Sequence, residues 1–211
     1  MSGRYRLHAI FSSLQGEGRN VGRPATFVRF SSCNLACSWC DTHKDEKMQL
    51  TASEILRALG KLGNRSVIVT GGEPTIQPGL DDLLLELRGA GYWLALETNG
   101  VVAPPRPDLF DYIAVSPKPQ YLSRYLDETM LHRADEVRIV ATTETEEIAA
   151  FCRTMRARIQ ADAYYISPLE SEGRIHYRRA LTLLRKVNRL DPHLLPPWSL
   201  SIQMHKVIGI R

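Results

Sequence analysis

Long apolar runs are missing from this sequence: nothing in its 211 residues approaches the roughly 20 consecutive apolar positions that cross a bilayer. The opening residues, MSGRYRLHAIFSSLQGEG, also lack the uninterrupted apolar stretch of a secretory leader, so the expected location is the cytoplasm, with no membrane partner. Cysteine is scarce, at four residues, yet three of the four fall within eight positions, in CNLACSWCDT. In a reducing compartment such a cluster reads as metal-binding or catalytic, because a disulfide framework would not persist there. Charge of one sign is not concentrated either. The net charge is +4, and the basic stretches CRTMRARIQ and GRIHYRRALTLLRKVNR repeat with apolar residues at helical spacing, as solvated helix faces do. No concentrated basic surface with a series of stacking aromatics between the charges is seen, so nucleic acid is not an expected partner. There are no internal repeats, low-complexity tracts or flexible linkers to divide the chain. With 44% apolar and 24% charged residues it has ordinary globular composition. Residues 1–211 are therefore expected to form one domain, with 1–24 an N-terminal extension ahead of a main body over 25–211.

Short β-rich apolar runs alternate with helical patterns along that body. Strands are expected at 25–30, 66–70, 92–100, 111–119, 135–140, 163–168 and 198–206, and helices at 51–63, 79–91, 144–160 and 174–190. Thr51 with Glu54 three residues on forms a capping box at the first helix. VVAPPRPD reads as a rigid loop where a crossover helix would otherwise stand. Strands alternating with helices imply an α/β fold with a mostly parallel sheet. Seven strands with only four helices make it a partial, incomplete TIM-like barrel. CNLACSWCDT, TGGEP, ETNG, SPKP and ISPLES each follow an expected strand directly. In parallel α/β folds the carboxyl ends of the strands form the rim where sites are built, so these five tips belong to one site.

Cys33, Cys37 and Cys40 are spaced Cys-x3-Cys-x2-Cys, one thiolate short of a full tetrahedral set. Zinc with His43 as fourth ligand would complete a Cys3His site, although all its ligands would then come from one short loop. A [4Fe–4S] cluster on three thiolates would instead leave one iron open to a further ligand. CxxxCxxC after the first body strand and GGEP after the second resemble the radical S-adenosylmethionine (SAM) enzymes. The resemblance implies SAM on the open iron and its reductive cleavage to a 5′-deoxyadenosyl radical. It implies Gly72, beside Gly71, near the methionyl amine, with Glu73 and Pro74 fixing the turn. It places Trp39 on the adenine, Glu97, Thr98 and Asn99 at the ribose, and Ser116, Pro117, Lys118, Ser167 and Pro168 around the remainder. Ser167 stands where some relatives have glutamine, so this sequence departs from the pattern there.

The segment IFSSLQGEGRNVGRPATFVRFSSC, the Asp41–Thr42 pair and the ending SIQMHKVIGIR resemble, nearly end to end, one family within that superfamily, the 7-carboxy-7-deazaguanine synthases of queuosine and deazapurine biosynthesis. The resemblance implies ring contraction of 6-carboxy-5,6,7,8-tetrahydropterin with loss of ammonia, SAM being regenerated. It implies Mg2+ at Thr42, whose hard oxygen suits that ion. A flavodoxin or ferredoxin would be the reductant and a second copy of the chain the partner in a homodimer. Leu14, Gln15, Gly16 and Thr70 would bind the pterin edges, and Arg29 would take its carboxylate in a bidentate fork. Glu17 and His205 would sit near the rearranging ring, and the backbone carboxylate of Arg211 would reach the substrate. The alternatives are an activating enzyme for a glycyl-radical partner, which has no use for LQGEG paired with Arg29, and a non-catalytic zinc module.

Overall fold

The structure, a computed structural model, describes residues 3–40, 45–143 and 145–210. Among these the strands are β1 (Tyr5–Leu14), β2 (Pro24–Phe30), β3 (Met48–Leu50), β4 (Ser66–Gly71), β5 (Trp93–Thr98), β6 (Tyr112–Val115), β7 (Arg133–Ala141), β8 (Gln160–Pro168), β9 (Glu170–Ser171), β10 (Arg174–Ile175) and β11 (Trp198–Leu200). The helices are α1 (Ala52–Leu62), α2 (Leu80–Gly89), α3 (Glu146–Arg158), α4 (Tyr177–Leu190) and α5 (Met204–Val207). Nine strands form one sheet in the order β11-β8-β7-β6-β5-β4-β2-β1-β3, and β9 pairs β10 separately. From β2 to β11 every neighbouring pair in the large sheet is parallel, while β1 runs antiparallel to both β2 and β3. The sheet is an open, partial barrel with helices on its outer face. Its parallel strands are the seven that the sequence pattern marks.

The two faces of the sheet differ in kind. Outward residues Val28, Phe30, Val67, Val69, Leu94, Leu96, Val137 and Ile139 are buried against apolar faces of the helices, including Ile55 and Leu59 of α1, Leu83 and Leu87 of α2, and Phe151 and Met155 of α3. On the inner face Ala25, Ile68 and Ala95 form a small apolar layer with Phe27, Trp93 and Tyr112. Because side chains alternate along a strand, the next inward positions toward the carboxyl ends are Arg29, Thr70, Glu97 and Arg138. The register pairs Arg29 with Thr70 directly. A ring of polar side chains thus stands above an apolar floor.

Local signals place α1 as the sequence predicts. Thr51 Oγ1 accepts from Glu54 N at 3.3 Å while Glu54 Oε2 accepts from Thr51 N at 2.8 Å, and Gly63 closes the helix in the left-handed region at φ 77°. Thr51→Ala is expected to cost about 1 kcal/mol of stability, read as a lower denaturation midpoint with an unchanged slope.

Several boundaries differ from the sequence reading; the strand expected over 111–119, for one, covers only Tyr112–Val115, and three others bear on the site. Residues 5–14, read as part of an extension, form β1, a member of the main sheet paired with β2 from Leu7↔Phe30 to Leu14↔Pro24. The helix expected from 174 begins at Tyr177. Residues 170–175 instead form a hairpin whose turn, Glu172 and Gly173, has φ values of 52° and 71°, as two-residue hairpin turns require. The strand expected over 198–206 covers only Trp198–Leu200, and 204–207 is helical. Its one sheet neighbour, β8, ends at Pro168, and the chain then turns to donate from Met204 N to Gly16 O at 2.8 Å.

Candidate functional site

The carboxyl ends of the parallel strands open into a cavity of about 710 Å3. Its wall includes Leu14, Gln15, Glu17, Arg29, Cys33, Cys37, Trp39, Cys40, Thr70 and Gly72, together with Glu97, Thr98, Asn99, Ser116, Lys118, Ser167, Pro168 and His205. Almost every site residue expected from sequence is therefore on one surface. Gly16 and Pro117 flank that surface without lining it. Thr42, His43 and Arg211 lie outside the described residues.

The cysteine loop leaves β2 and is held by backbone contact with GGEP. Gly72 N donates to Phe30 O at 3.0 Å and Glu73 N to Ser32 O at 2.9 Å. A Cβ on Gly71, whose φ is 125°, or on Gly72 would collide with the backbone of Phe30 to Ser32. The close approach that requires glycine here is backbone to backbone, between two loops of the rim. Glu73 is fully buried and accepts four hydrogen bonds. They come from Thr75 N at 3.1 Å, Thr75 Oγ1 at 2.9 Å, Thr98 Oγ1 at 2.7 Å and Asn99 N at 2.7 Å. Burial pushes its carboxyl above the usual range, and these donors pull the other way. Glu73 thereby ties the GGEP turn to the ETNG turn, and the Thr98 hydroxyl is committed to that tie. Asn99 extends it to the cysteines, its amide donating to Asn34 Oδ1 at 2.8 Å and lying 4.0 Å from Cys33 Sγ.

The three thiols are the donor type and number that an iron–sulfur cluster with one open iron requires. None is in a disulfide, all three line the cavity, and Leu35 N points at Cys33 Sγ at 3.4 Å, the kind of donor that tunes a ligating sulfur. Beside them Lys118 Nζ donates to Ser116 Oγ at 2.8 Å and stands 5.2 Å from the centre of the Trp39 ring. Burial lowers the Lys118 pKa, against the pull of Cys37 and Glu17. The Ser167 hydroxyl is buried, lines the cavity and has no protein partner among the described residues, which suits a polar ligand group. Cys152, the fourth cysteine, is buried in α3 and its thiol is pushed up to about 12 by burial.

The other half of the cavity is built by the first and last segments of the described chain. Gln15 Nε2 donates to Glu97 Oε1 at 2.7 Å, and its Oε1 accepts from Glu17 N at 3.2 Å. The His205 imidazole lies over Gly16, in space that a Cβ would fill. Arg29 stands over the Phe11 ring, with 5.1 Å between guanidinium carbon and centroid, and Phe11 stacks on Phe27. This gives a cation set beside a flat apolar shelf.

Sequence reasoning passed over Arg138 and Glu136. Arg138 is 3% exposed and pairs with Glu17 at 3.1 Å, with Glu136 at 3.1 Å and with Glu97. The signal was present in DEVRIVA: buried parallel strands read as nearly continuous apolar runs, so charges two apart on one inward face demand a partner. Gln203, whose Oε1 is buried at the cavity wall, and Lys206, paired with Glu170 at 2.7 Å, were likewise not marked.

Comparison with known proteins gives a consistent picture. The radical SAM superfamily model matches residues 27–125. A 7-carboxy-7-deazaguanine synthase of Neisseria meningitidis serogroup B is 45% identical over 207 residues, covering 98% of this chain and 94% of the relative. The enzyme of that name from Haemophilus influenzae is 42% identical, again over 98% of this chain and 94% of its own. Among solved structures, QueE from Escherichia coli superposes with a TM-score of 0.68 at 25% identity, covering 96% of this chain and 95% of that one.

Proposed function

The chain belongs to the 7-carboxy-7-deazaguanine synthase family of radical SAM enzymes, and from that membership and the cavity we propose that it converts 6-carboxy-5,6,7,8-tetrahydropterin to 7-carboxy-7-deazaguanine and ammonia. The observation that carries this reading is the single cavity in which three thiols face an inward ring of Arg29, Thr70 and Glu97. Cys33, Cys37 and Cys40 would hold a [4Fe–4S] cluster, which with SAM would supply reversible hydrogen-atom abstraction from the pterin, SAM being regenerated.

The chain's own residues do the rest. Lys118, Trp39, Ser116, Pro117, Ser167 and Pro168 form the SAM end of the cavity, with Gly72, Thr98 and Asn99 setting the rim. Arg29 takes the substrate carboxylate, and the Phe11 shelf beside it accepts the flat ring. Leu14, Gln15, Gly16 and Thr70 bind the pterin edges, while Glu17 and His205 stand at the ring that rearranges. The bonds of Glu97 to Gln15 and Arg138 support reading it at the border between the ribose and the substrate end. Mg2+ at Thr42 and substrate contact by the Arg211 carboxylate complete the proposal, both outside the described residues. No described helix is long and apolar enough to cross a membrane. A cytoplasmic homodimer reduced by a flavodoxin or ferredoxin, docking near the exposed Cys40, is the assembly this reading expects.

Turnover of the pterin under anaerobic, reducing conditions tests the reaction itself. The substrate end is tested by Arg29→Ala, expected to raise KM about 100-fold, the scale of a charge-assisted hydrogen bond left unmade. Slow SAM cleavage without substrate should persist in that variant. An unchanged KM would remove Arg29 from the carboxylate site.

A further inference from the structure

We propose that Arg138 is a positioning residue for this reaction: its guanidinium sets the Glu17 and Glu97 carboxylates in place on the cavity wall. The inference rests on the reaction proposed above and adds to it a device behind the substrate end. Arg138 projects inward from β7; its two terminal nitrogens bond two carboxylates, and a third lies within ion-pair distance of its Nε, which makes no hydrogen bond among the described residues. These are Glu17 from the loop after β1, Glu97 from β5 and Glu136 from its own strand. An arginine can hold such a set rigidly because its donors diverge in one plane, which a lysine ammonium cannot reproduce.

Glu136 anchors the arrangement from below. It is 2% exposed and its Oε2 accepts from Tyr112 Oη at 2.8 Å and from Arg19 N at 2.9 Å. Gly18, with φ 67°, lies so close to this carboxylate that any Cβ would collide with it. Gly18 N also donates to Ser201 Oγ at 3.0 Å. The loop that carries Glu17 is therefore clamped immediately after Glu17's own contact with Arg138. Gln15 completes the frame by bridging Glu97 and the backbone of Glu17.

The charge balance gives the device a measurable signature. The groups facing Glu97 are Arg138, Glu136 and Glu17 as charges and Gln15 as a hydrogen-bond donor. Lys118 interacts electrostatically with Glu17 and Arg138, and Tyr112 donates to Glu136. Burial raises the Glu97 pKa, Arg138 lowers it, and Glu136 and Glu17 raise it again. Removing the guanidinium deletes the lowering charge and leaves the two raising ones, so Glu97 would then hold its proton to higher pH.

The test uses cluster-loaded Arg138→Gln and Arg138→Lys. Arg138→Gln is expected to lower kcat/KM about 100-fold, the scale of a misplaced reacting group. The acidic limb of its pH profile should move up by about one unit or more, the size of shift one lost counter-charge gives. Arg138→Lys should restore the limb toward its wild-type position while kcat stays low. Infrared titration of the carboxyl stretch, with Glu97→Gln assigning the band, reads the same shift without turnover. A wild type that makes no product would thus refute the reaction while this titration still judges Arg138. If Arg138→Gln does not fold, the infrared comparison passes to Glu136→Gln/Arg138→Gln, in which one carboxylate leaves with the guanidinium. In the double variant the Glu97 midpoint should again lie above that of Glu136→Gln alone. A Glu97 midpoint in Arg138→Gln that coincides with wild type, or one in the double variant that coincides with Glu136→Gln alone, would overturn the proposal.

Discussion

Cys37→Ala is expected to abolish turnover and SAM cleavage together. Three thiolates are the minimum that holds a four-iron cluster while leaving one iron for another ligand, and Cys33, Cys37 and Cys40 are the only thiols on this cavity among the described residues. No other thiol can replace the lost one. Cys152 sits in α3 with its side chain fully buried in the core, and its raised pKa keeps it a thiol at neutral pH. Cys152→Ala therefore serves as the control, expected to load a normal cluster and to turn over normally, with a modest loss of stability from the small cavity left in the core. Iron and sulfide analysis with the absorbance of the reconstituted protein reads both variants. Full activity in Cys37→Ala would remove the cluster from the account.

Glu73→Ala has the second largest expected effect, and it acts on stability before chemistry. The four donors that converge on this buried carboxylate differ in what they can do when it is gone. The hydroxyls of Thr75 and Thr98 can rotate toward other acceptors, but the N–H groups of Thr75 and Asn99 are fixed by the backbone. A buried donor left unmet costs about 1–3 kcal/mol, so two of them place the loss near 4 kcal/mol. That is a large part of the roughly 5–15 kcal/mol by which domains are stable. Glu73→Gln keeps one acceptor oxygen and turns an NH2 toward Asn99 N, so it should lose about half as much. Denaturant midpoints of the three proteins, with cluster content, measure both effects. A loss below 1 kcal/mol in Glu73→Ala would show that the tie between the GGEP and ETNG turns does not hold the rim together.

What the sequence made legible follows from what leaves a periodic trace. The seven parallel strands appear as short apolar runs because both their faces are covered, and the rim tips appear because glycine, proline and polar residues interrupt those runs. The cysteine spacing carries its chemistry in the chain itself. β1 was hidden because HAIFSSLQGEG mixes one polar and one apolar face, as a strand does when one face borders a cavity, and because its pairing is antiparallel and outside the βα rhythm. The strand expected through 198–206 stops early for a reason no local pattern holds: its partner β8 runs out at Pro168. Arg138 and Glu136 were visible as charges but not as a site, since the partners Glu17 and Glu97 lie 121 and 41 positions from Arg138 and meet it only through the sheet. Nothing in the polar run ETNG likewise announces the bonds from Glu97 to Gln15 and Arg138.

The most direct measurement is one anaerobic assay of the reconstituted protein with dithionite, SAM, Mg2+ and 6-carboxytetrahydropterin, with pterin, product and SAM followed by mass spectrometry. The account predicts 7-carboxy-7-deazaguanine in many-fold excess over any SAM lost. Accumulation of 5′-deoxyadenosine without that product would contradict it and bring the glycyl-radical activating enzyme forward. A colourless protein holding one zinc would contradict the radical chemistry altogether.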